Sequence, residues 1–299
     1  MSLTINHNLM ATNAARNLSS AYSNLSVSTR RLSSGLRVDT AADDAAGLAS
    51  RELMRADIAS LNQGVRNAND AISLIQTADG ALQVIDEKLI RMKELATQAA
   101  TGTYNSDQRL IIDSEYQAMA SEITRIASAT DFNGVYLLNG NLSGENGDHV
   151  GSGLSSEGPL KVHFGTGNDC AEDYYYISIG NSTASALGVG LSAAPGTAGR
   201  SISTQAMAQE ALTAINNAII SKDNIRANLG ALQNRLENTV SNLQIQSENL
   251  QAAESRISDV DVASEMTEFV RQQILSQSAV AMLSQANSLP RMAMQLIGG

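Results

Sequence analysis

Residues 58–100 read IASLNQGVRNANDAISLIQTADGALQVIDEKLIRMKELATQAA. Apolar positions recur at Ile58, Leu61, Val65, Ala68, Ile72 and Ile75, then at Ala78, Leu82, Ile85, Leu89, Met92, Ala96 and Ala99. Steps of three and four keep one side of an α-helix facing another helix. The step from Ile75 to Ala78 is one three-residue step too many, a stammer that overwinds such a pairing locally. Just upstream, Asp43-Asp44 offers the cap and the negative charge that a helix start favours, in preference to any metal or acid/base role. The spacing therefore predicts one helix over 45–100, roughly 84 Å long at about 1.5 Å per residue. Helices of that length belong to elongated bundles, so a rod is expected.

Working outward, Ala14, Leu18, Ala21, Leu25, Ser28 and Leu32 repeat the same rhythm as a first helix, interrupted by Ser33-Ser34-Gly35. Beyond Ala100, residues 101–106 (TGTYNS) read as a turn, with Ser106-Asp107 capping a third helix that returns antiparallel to about Ala129. Residues 131–140 (DFNGVYLLNG) place two Asn-Gly pairs around a short apolar run, a hairpin signature. From Asn141 to Arg200 the chain is rich in Gly, Ser and Asn, with strand-like islands at Leu160–Phe164 and Tyr174–Ile179, and reads as a small β-rich insert. Tyr174-Tyr175-Tyr176 reads as a strand with one buried face; without basic neighbours, a role in stacking on bases or sugars is not expected. After Ser201 the helical seam returns at Leu212, Ile215, Ile219, Ile225, Leu229, Leu232, Leu236, Val240, Leu243 and Leu250.

The last segment, from Val260 to Gly299, holds Met266, Phe269, Val270, Ile274, Leu275, Met282, Leu283, Leu289, Met292 and Leu296, and no acidic residue after Glu268. That is more apolar surface than one stripe can hold, interrupted by too much Ser, Gln and Asn for a membrane span, so packing on copies of itself or on a partner is expected. The Met content suits adaptable contacts between subunits. Composition agrees: 43% hydrophobic residues but only 3% aromatic, with no Trp and three Pro, disfavours a compact enzyme core. Twenty basic residues against thirty acidic ones leave a net charge of −10, which argues against nucleic acid and anionic lipid as partners.

Cys170 is the single cysteine, and His7, His149 and His163 share no ligand spacing, so no disulfide, metal or cofactor is expected. No phosphate-cradling loop or nucleophile motif is present, and no catalytic residue is assigned. The N-terminus lacks the basic and apolar regions of a secretory signal, which fits a cytoplasmic protein or one exported by a dedicated machine.

Several motifs carry a resemblance. Residues 31–37 (RLSSGLR) followed by 42–47 (ADDAAG), then 66–70 (RNAND) and 132–134 (FNG), are similar to the N-terminal signature of bacterial flagellins. Residues 229–235 (LGALQNR), 255–261 (SRISDVD) and the segment 281–292 with Gln285-Ala286-Asn287 resemble the C-terminal one. Several motifs in the right order are more specific than any one of them. The resemblance covers about 1–140 and 201–299.

What it implies is a mostly-α chain: a long antiparallel coiled-coil or helical-bundle rod built from both chain ends, with a β-hairpin and a small β-rich central insert. Residues 1–40 and 258–299 would form an inner terminal-helix domain, 41–140 and 201–257 a rod-like helical domain with the hairpin, and 141–200 a small outer insert. The implied function is a structural subunit that polymerises into the flagellar filament for swimming. It would be exported unfolded through the flagellar type III channel and be extracellular in the filament. Implied partners are other copies of the chain, an export chaperone at the C-terminal helix, and the filament cap and hook-junction proteins. Residues 1–31 and 260–299 would be mobile in the monomer and helical in the filament, with Leu18, Leu25, Phe269, Ile274, Leu275, Met282, Leu283, Leu289, Met292 and Leu296 at the filament or chaperone interface.

Flagellins are also sensed by a host Toll-like receptor, and residues 89–98 (LIRMKELATQ) resemble the contacting segment. Arg91, Leu95 and Gln98 match its key positions and Glu115 the acidic partner, while Met119 stands where strongly sensed flagellins carry Arg. Read without the resemblance, Arg91, Lys93 and Glu94 are a solvated helix face and Leu95 a packing residue. Two other readings remain open: a hook-filament junction protein, and a cytoplasmic coiled-coil adaptor read from the heptads alone.

Overall fold

The computed structural model describes residues 8–143, 158–169 and 172–297. His7, His149 and Cys170 lie outside the described residues, as do the side chains of Leu289 and Leu296. The described elements are, in order, α1 (Leu9–Ser34), α2 (Ala45–Ala100), α3 (Ser106–Ala129), β1 (Asp131–Phe132), β2 (Val135–Tyr136), β3 (Leu160–His163), β4 (Tyr174–Ile177), α4 (Ala184–Leu187), α5 (Gln205–Ser258) and α6 (Val262–Ile297). The mostly-α class, with long helices from both chain ends and two small antiparallel hairpins, is the one the sequence predicts. Contacts divide the chain into two compact units, residues 1–58 with 248–299 and residues 59–247. The division falls inside α2 and α5.

In the first unit α1 opens on Asn8, whose side chain accepts the Ala11 N–H at 3.0 Å. It closes on Gly35, left-handed at φ 73°, whose N–H donates to the Arg31 carbonyl. The chain that follows is clamped to the end of α5: the Arg37 N–H donates to the Ser258 carbonyl, its guanidinium to that of Ile257 at 2.7 Å, and the Val260 N–H to that of Gly35 at 3.0 Å. Arg51, only 7% exposed, donates to the Val38 carbonyl at 2.7 Å. The acidic pair divides its roles. Asp44 accepts the Gly47 N–H at 2.9 Å, the capping contact expected of it. Asp43 instead accepts the Thr40 N–H and hydroxyl and pairs with Arg30 at 3.1 Å.

In the second unit α3 and α5 both run antiparallel to α2: Arg91 meets Glu115 at 2.7 Å and Arg109 the Ala99 carbonyl at 2.9 Å, while Asp86 meets Lys222 at 2.6 Å and Asp79 meets Arg226 at 2.7 Å. From Ala78 onward the predicted seam is the core, with Leu82, Ile85, Leu89, Met92, Ala96 and Ala99 fully buried. Upstream the buried line is Leu61, Gly64, Ala68, Ala71, Ile75 and Ala78, with Leu74 buried beside it; the predicted Val65 and Ile72 are only half-buried, so the alternation of three and four runs on into Leu82 without the expected stammer. Lys222, 1% exposed, reaches Asp86 and Asp223 from within this apolar seam. A hydrophobic seam could slide with little penalty, whereas a buried ammonium that loses its carboxylate is costly, so the pair pins α2 against α5.

Three local expectations are corrected. The cap of α3 is Asn105, not Ser106-Asp107: its side chain accepts the Gln108 N–H at 2.8 Å while the Gln108 side chain accepts the Asn105 N–H at 3.1 Å. Of the two Asn-Gly pairs only the first makes the hairpin, with Phe132 opposite Val135 and Asn133 (φ 52°) and Gly134 (φ 82°) forming the turn. The second pair follows Leu137 and Leu138, both fully buried, so the apolar run anchors to the core instead of extending the strand. The tyrosine run, finally, has basic neighbours after all. The Lys161 Nζ sits 3.7 Å over the Tyr174 ring, and Arg235, brought in by α5, lies 3.5 Å over that of Tyr175. The strand itself is as expected, with burial alternating from Ile177 through exposed Ser178 to Ile179, while all three tyrosines are half-buried and their contacts staple the hairpin. That hairpin sits against α2 because Gly64 leaves room for it: a Cβ there would meet the Phe164 carbonyl oxygen at 2.0 Å.

Nothing in the sequence pattern singles out the strap at 188–202. The buried Tyr116 hydroxyl donates to the Gly199 carbonyl at 2.7 Å, the Gln117 side chain bonds the backbone of Leu191 and Arg200, and Asp113 accepts from Ser201 and Ile202. Burial pushes the Tyr116 phenol well above its ordinary range.

Candidate functional site

Within the first unit α1 and α6 pair antiparallel, with Asn8 donating to the Ala286 carbonyl at 2.8 Å and Arg31 facing Glu265 at 3.6 Å. The pairing is inverted relative to an ordinary amphipathic pair. Buried between the helices are small and polar side chains, Ala21 and Ser28 from α1 and Gln272, Ser276 and Ala286 from α6. Exposed on α6 are Val262, Met266, Val270 and Ile274, a row at four-residue spacing, and beyond them Leu275, Val280, Met282 and Met292. Ile274 is 57% and Met282 58% exposed, values usual for lysine rather than isoleucine. Between the helices runs a groove of about 710 Å³, walled by the amides of Asn13, Asn17 and Gln285 as well as by Met10 and Met282.

Of the residues expected at an assembly surface, Ile274, Leu275, Met282 and Met292 are exposed, and Leu18, Leu25, Phe269 and Leu283 are half-buried at the edge of the pairing. The apolar count of the C-terminal segment signals that one face is not enough. Gln272 and Ser276 as the inward residues carry no such signal. Towards the start of α6 the Glu268 carboxyl accepts from Arg271 first and from Gln272 second, and both hold its pKa below the ordinary value.

A second surface lies on α2 and α3 in the other unit. Arg91 reaches across to Glu115 at 2.7 Å and along its own helix to Glu94 at 2.9 Å, and its pKa is raised by Glu115 first and then Glu94. Gln98, also exposed, donates to the Tyr104 hydroxyl at 3.0 Å. Leu95 differs from the other three. At 2% exposure it lies in the core, because three residues after Met92 and four before Ala99 it falls on the seam of α2. Arg91, Gln98 and Glu115 therefore form the accessible patch, and Leu95 holds the helix beneath it. His163 is engaged, its Nε2 lying 2.9 Å from the Gly167 carbonyl oxygen.

Among the described residues no group of His, Cys, Asp and Glu converges as a metal site, and no helix is long and apolar enough to cross a membrane. Both candidate sites are exposed helix faces.

The family described as the bacterial flagellin N-terminal helical region matches residues 5–143, and the bacterial flagellin C-terminal helical region matches residues 212–297. The chain is 42% identical to a flagellin of Halalkalibacterium halodurans, over 99% of this chain and 100% of that protein. It is 40% identical to the flagellar filament 33 kDa core protein of Treponema phagedenis, again over 99% of this chain and 100% of the other. The crystal structure of Bacillus cereus flagellin is similar with 28% identity and a TM-score of 0.47, over 63% of this chain and 94% of that one.

Proposed function

The chain belongs to the bacterial flagellin family, and from that premise we propose how its surfaces serve a structural subunit of the flagellar filament. Polymerisation is carried by the inverted α1–α6 pair. An open helical polymer needs a patch that binds a different patch on the next copy, and the outward apolar row of α6 is a surface left unburied by the single chain. Residues 1–40 and 258–299 form the filament core, 41–140 and 201–257 the next shell, and 141–200 the outermost part. Pairing through Ala, Ser and Gln is weak enough to be dismantled, which suits export of an unfolded chain through the flagellar type III channel, with a chaperone covering α6 until then. The filament is extracellular, with cap and hook-junction proteins as further partners. No residue is assigned to catalysis, and the relatives are structural proteins.

Arg91, Gln98 and Glu115 are proposed as the contact for the host flagellin-sensing Toll-like receptor. The observation in favour is that Arg91 and Glu115, far apart in sequence, are 2.7 Å apart and exposed on one face.

The carrying observation for polymerisation is the exposure of Ile274, Leu275 and Met282. Electron microscopy of the purified full chain on short filament seeds tests it, beside the chain truncated before Val260. Long filaments from the first and none from the second are expected; elongation by both would remove the terminal helices from the mechanism.

A further inference from the structure

Asn-Gly is the dipeptide whose asparagine is most readily lost, because nothing on glycine shields the backbone nitrogen that attacks. In the reaction that nitrogen, its proton released to solvent base, forms a bond to the asparagine Cγ, the Cγ–Nδ2 bond breaks and ammonia leaves. Water then opens the resulting cyclic imide at either carbonyl, giving aspartate or isoaspartate. Asn133-Gly134 is such a pair at an exposed hairpin tip, Asn133 being exposed and left-handed at φ 52°. Yet the attacking atom is not free. The Gly134 N–H donates to the Asp131 Oδ2 at 3.0 Å, across the turn.

We infer that Asn133 is a latent deamidation site of this chain and that Asp131 keeps it closed. An N–H that donates to a carboxylate is held towards that oxygen and away from Cγ. It is also harder to deprotonate, since the anion that would form lies beside a negative charge. The turn cannot dispense with the dipeptide, because both central residues take positive φ and Asn-Gly fits that backbone best. Asp131 thus guards a position that turn geometry makes chemically fragile. Opening it would place a methylene or a second carboxylate in the two-residue turn between Phe132 and Val135. At the other described pair the arrangement differs: the Asn139 Oδ1 accepts the Asn141 N–H at 3.0 Å, and Asn139 is half-buried.

The test incubates the full-length chain at mildly alkaline pH and follows Asn133 by peptide mass spectrometry, with isoaspartate confirmed enzymatically. The urea-unfolded chain supplies the unprotected rate. Wild type should lose Asn133 more slowly than the unfolded chain, and D131A about tenfold faster than wild type, the factor set by one hydrogen bond to a charged acceptor. D131N keeps the shape and one acceptor oxygen, so it holds the hairpin while weakening the bond, and its rate should fall between the two. Asn139 should be unaffected by either substitution. Equal rates in wild type and D131N would overturn the inference. So would slower loss in D131A, which would make the carboxylate the base that drives the reaction.

Discussion

Replacing Ile274 by Ala probes the assembly surface without touching the fold. Ile274 is 57% exposed in the single chain. Fully burying such a side chain is worth about 1.5–3 kcal/mol, so the fraction still to be buried contributes about 0.9–1.7 kcal/mol per subunit on assembly. Truncation removes most of that, and since about 1.4 kcal/mol is tenfold in an equilibrium constant, the critical concentration for seeded elongation should rise about 4- to 20-fold. Ala is also the better helix former, so the thermal midpoint of the unassembled chain should not fall. The measurement is pelleting of filaments grown from seeds over a range of chain concentrations, beside thermal unfolding of unassembled chain by circular dichroism. Gln272→Leu is the companion: two residues away, it points into the α1–α6 pairing at 6% exposure, so it should act on the free chain rather than only on the polymer. An unchanged critical concentration for Ile274→Ala, or a lowered midpoint of the free chain, would refute the assignment of this row to assembly.

Lys222→Ala should destabilise the second unit by about 3 kcal/mol, because Asp86 loses its cation at a partly buried site, and Lys222→Met should cost less by refilling the volume; urea unfolding ranks the two. The carboxyls of Asp43 and Asp261 lie below the ordinary 3.8, held by hydrogen bonds from Thr40 and from Ser264 respectively. Their contribution is therefore complete above that value and lost as the pH falls through it towards the lower folded values. A pH titration of thermal stability should accordingly be shallower on the acid side in Asp43→Asn than in wild type. Arg91→Ala breaks only an exposed pair with Glu115 and Glu94, so unfolding should barely change while signalling in a receptor-reporter cell line falls about tenfold, the loss usual for an interfacial arginine.

The long helices are legible because each repeats a single physical constraint. Leu82, Ile85, Leu89, Met92 and Ala96 alternate by three and four, and only a helix brings that spacing to one side, so 45–100 follows with its bounds. Asn133-Gly134 is equally local, since its turn depends on two residues. The terminal segment is legible only in part. Its apolar excess announces an unsatisfied surface, but with side chains of that kind on several sides the pattern does not choose which row turns outward.

The order of helices and hairpin and the family were determined by sequence alone, because each rests on local periodicity or on motifs contiguous in the chain. Tertiary structure decided the rest. It placed Gln272 and Ser276 inside and Ile274 outside, and brought Asp86 to the buried Lys222. It also carried Arg235 to Tyr175 and Gly199 to Tyr116. Each of these depends on where a second segment, scores of residues away, comes to rest. Periodicity says that a face will be covered, and only packing says by what.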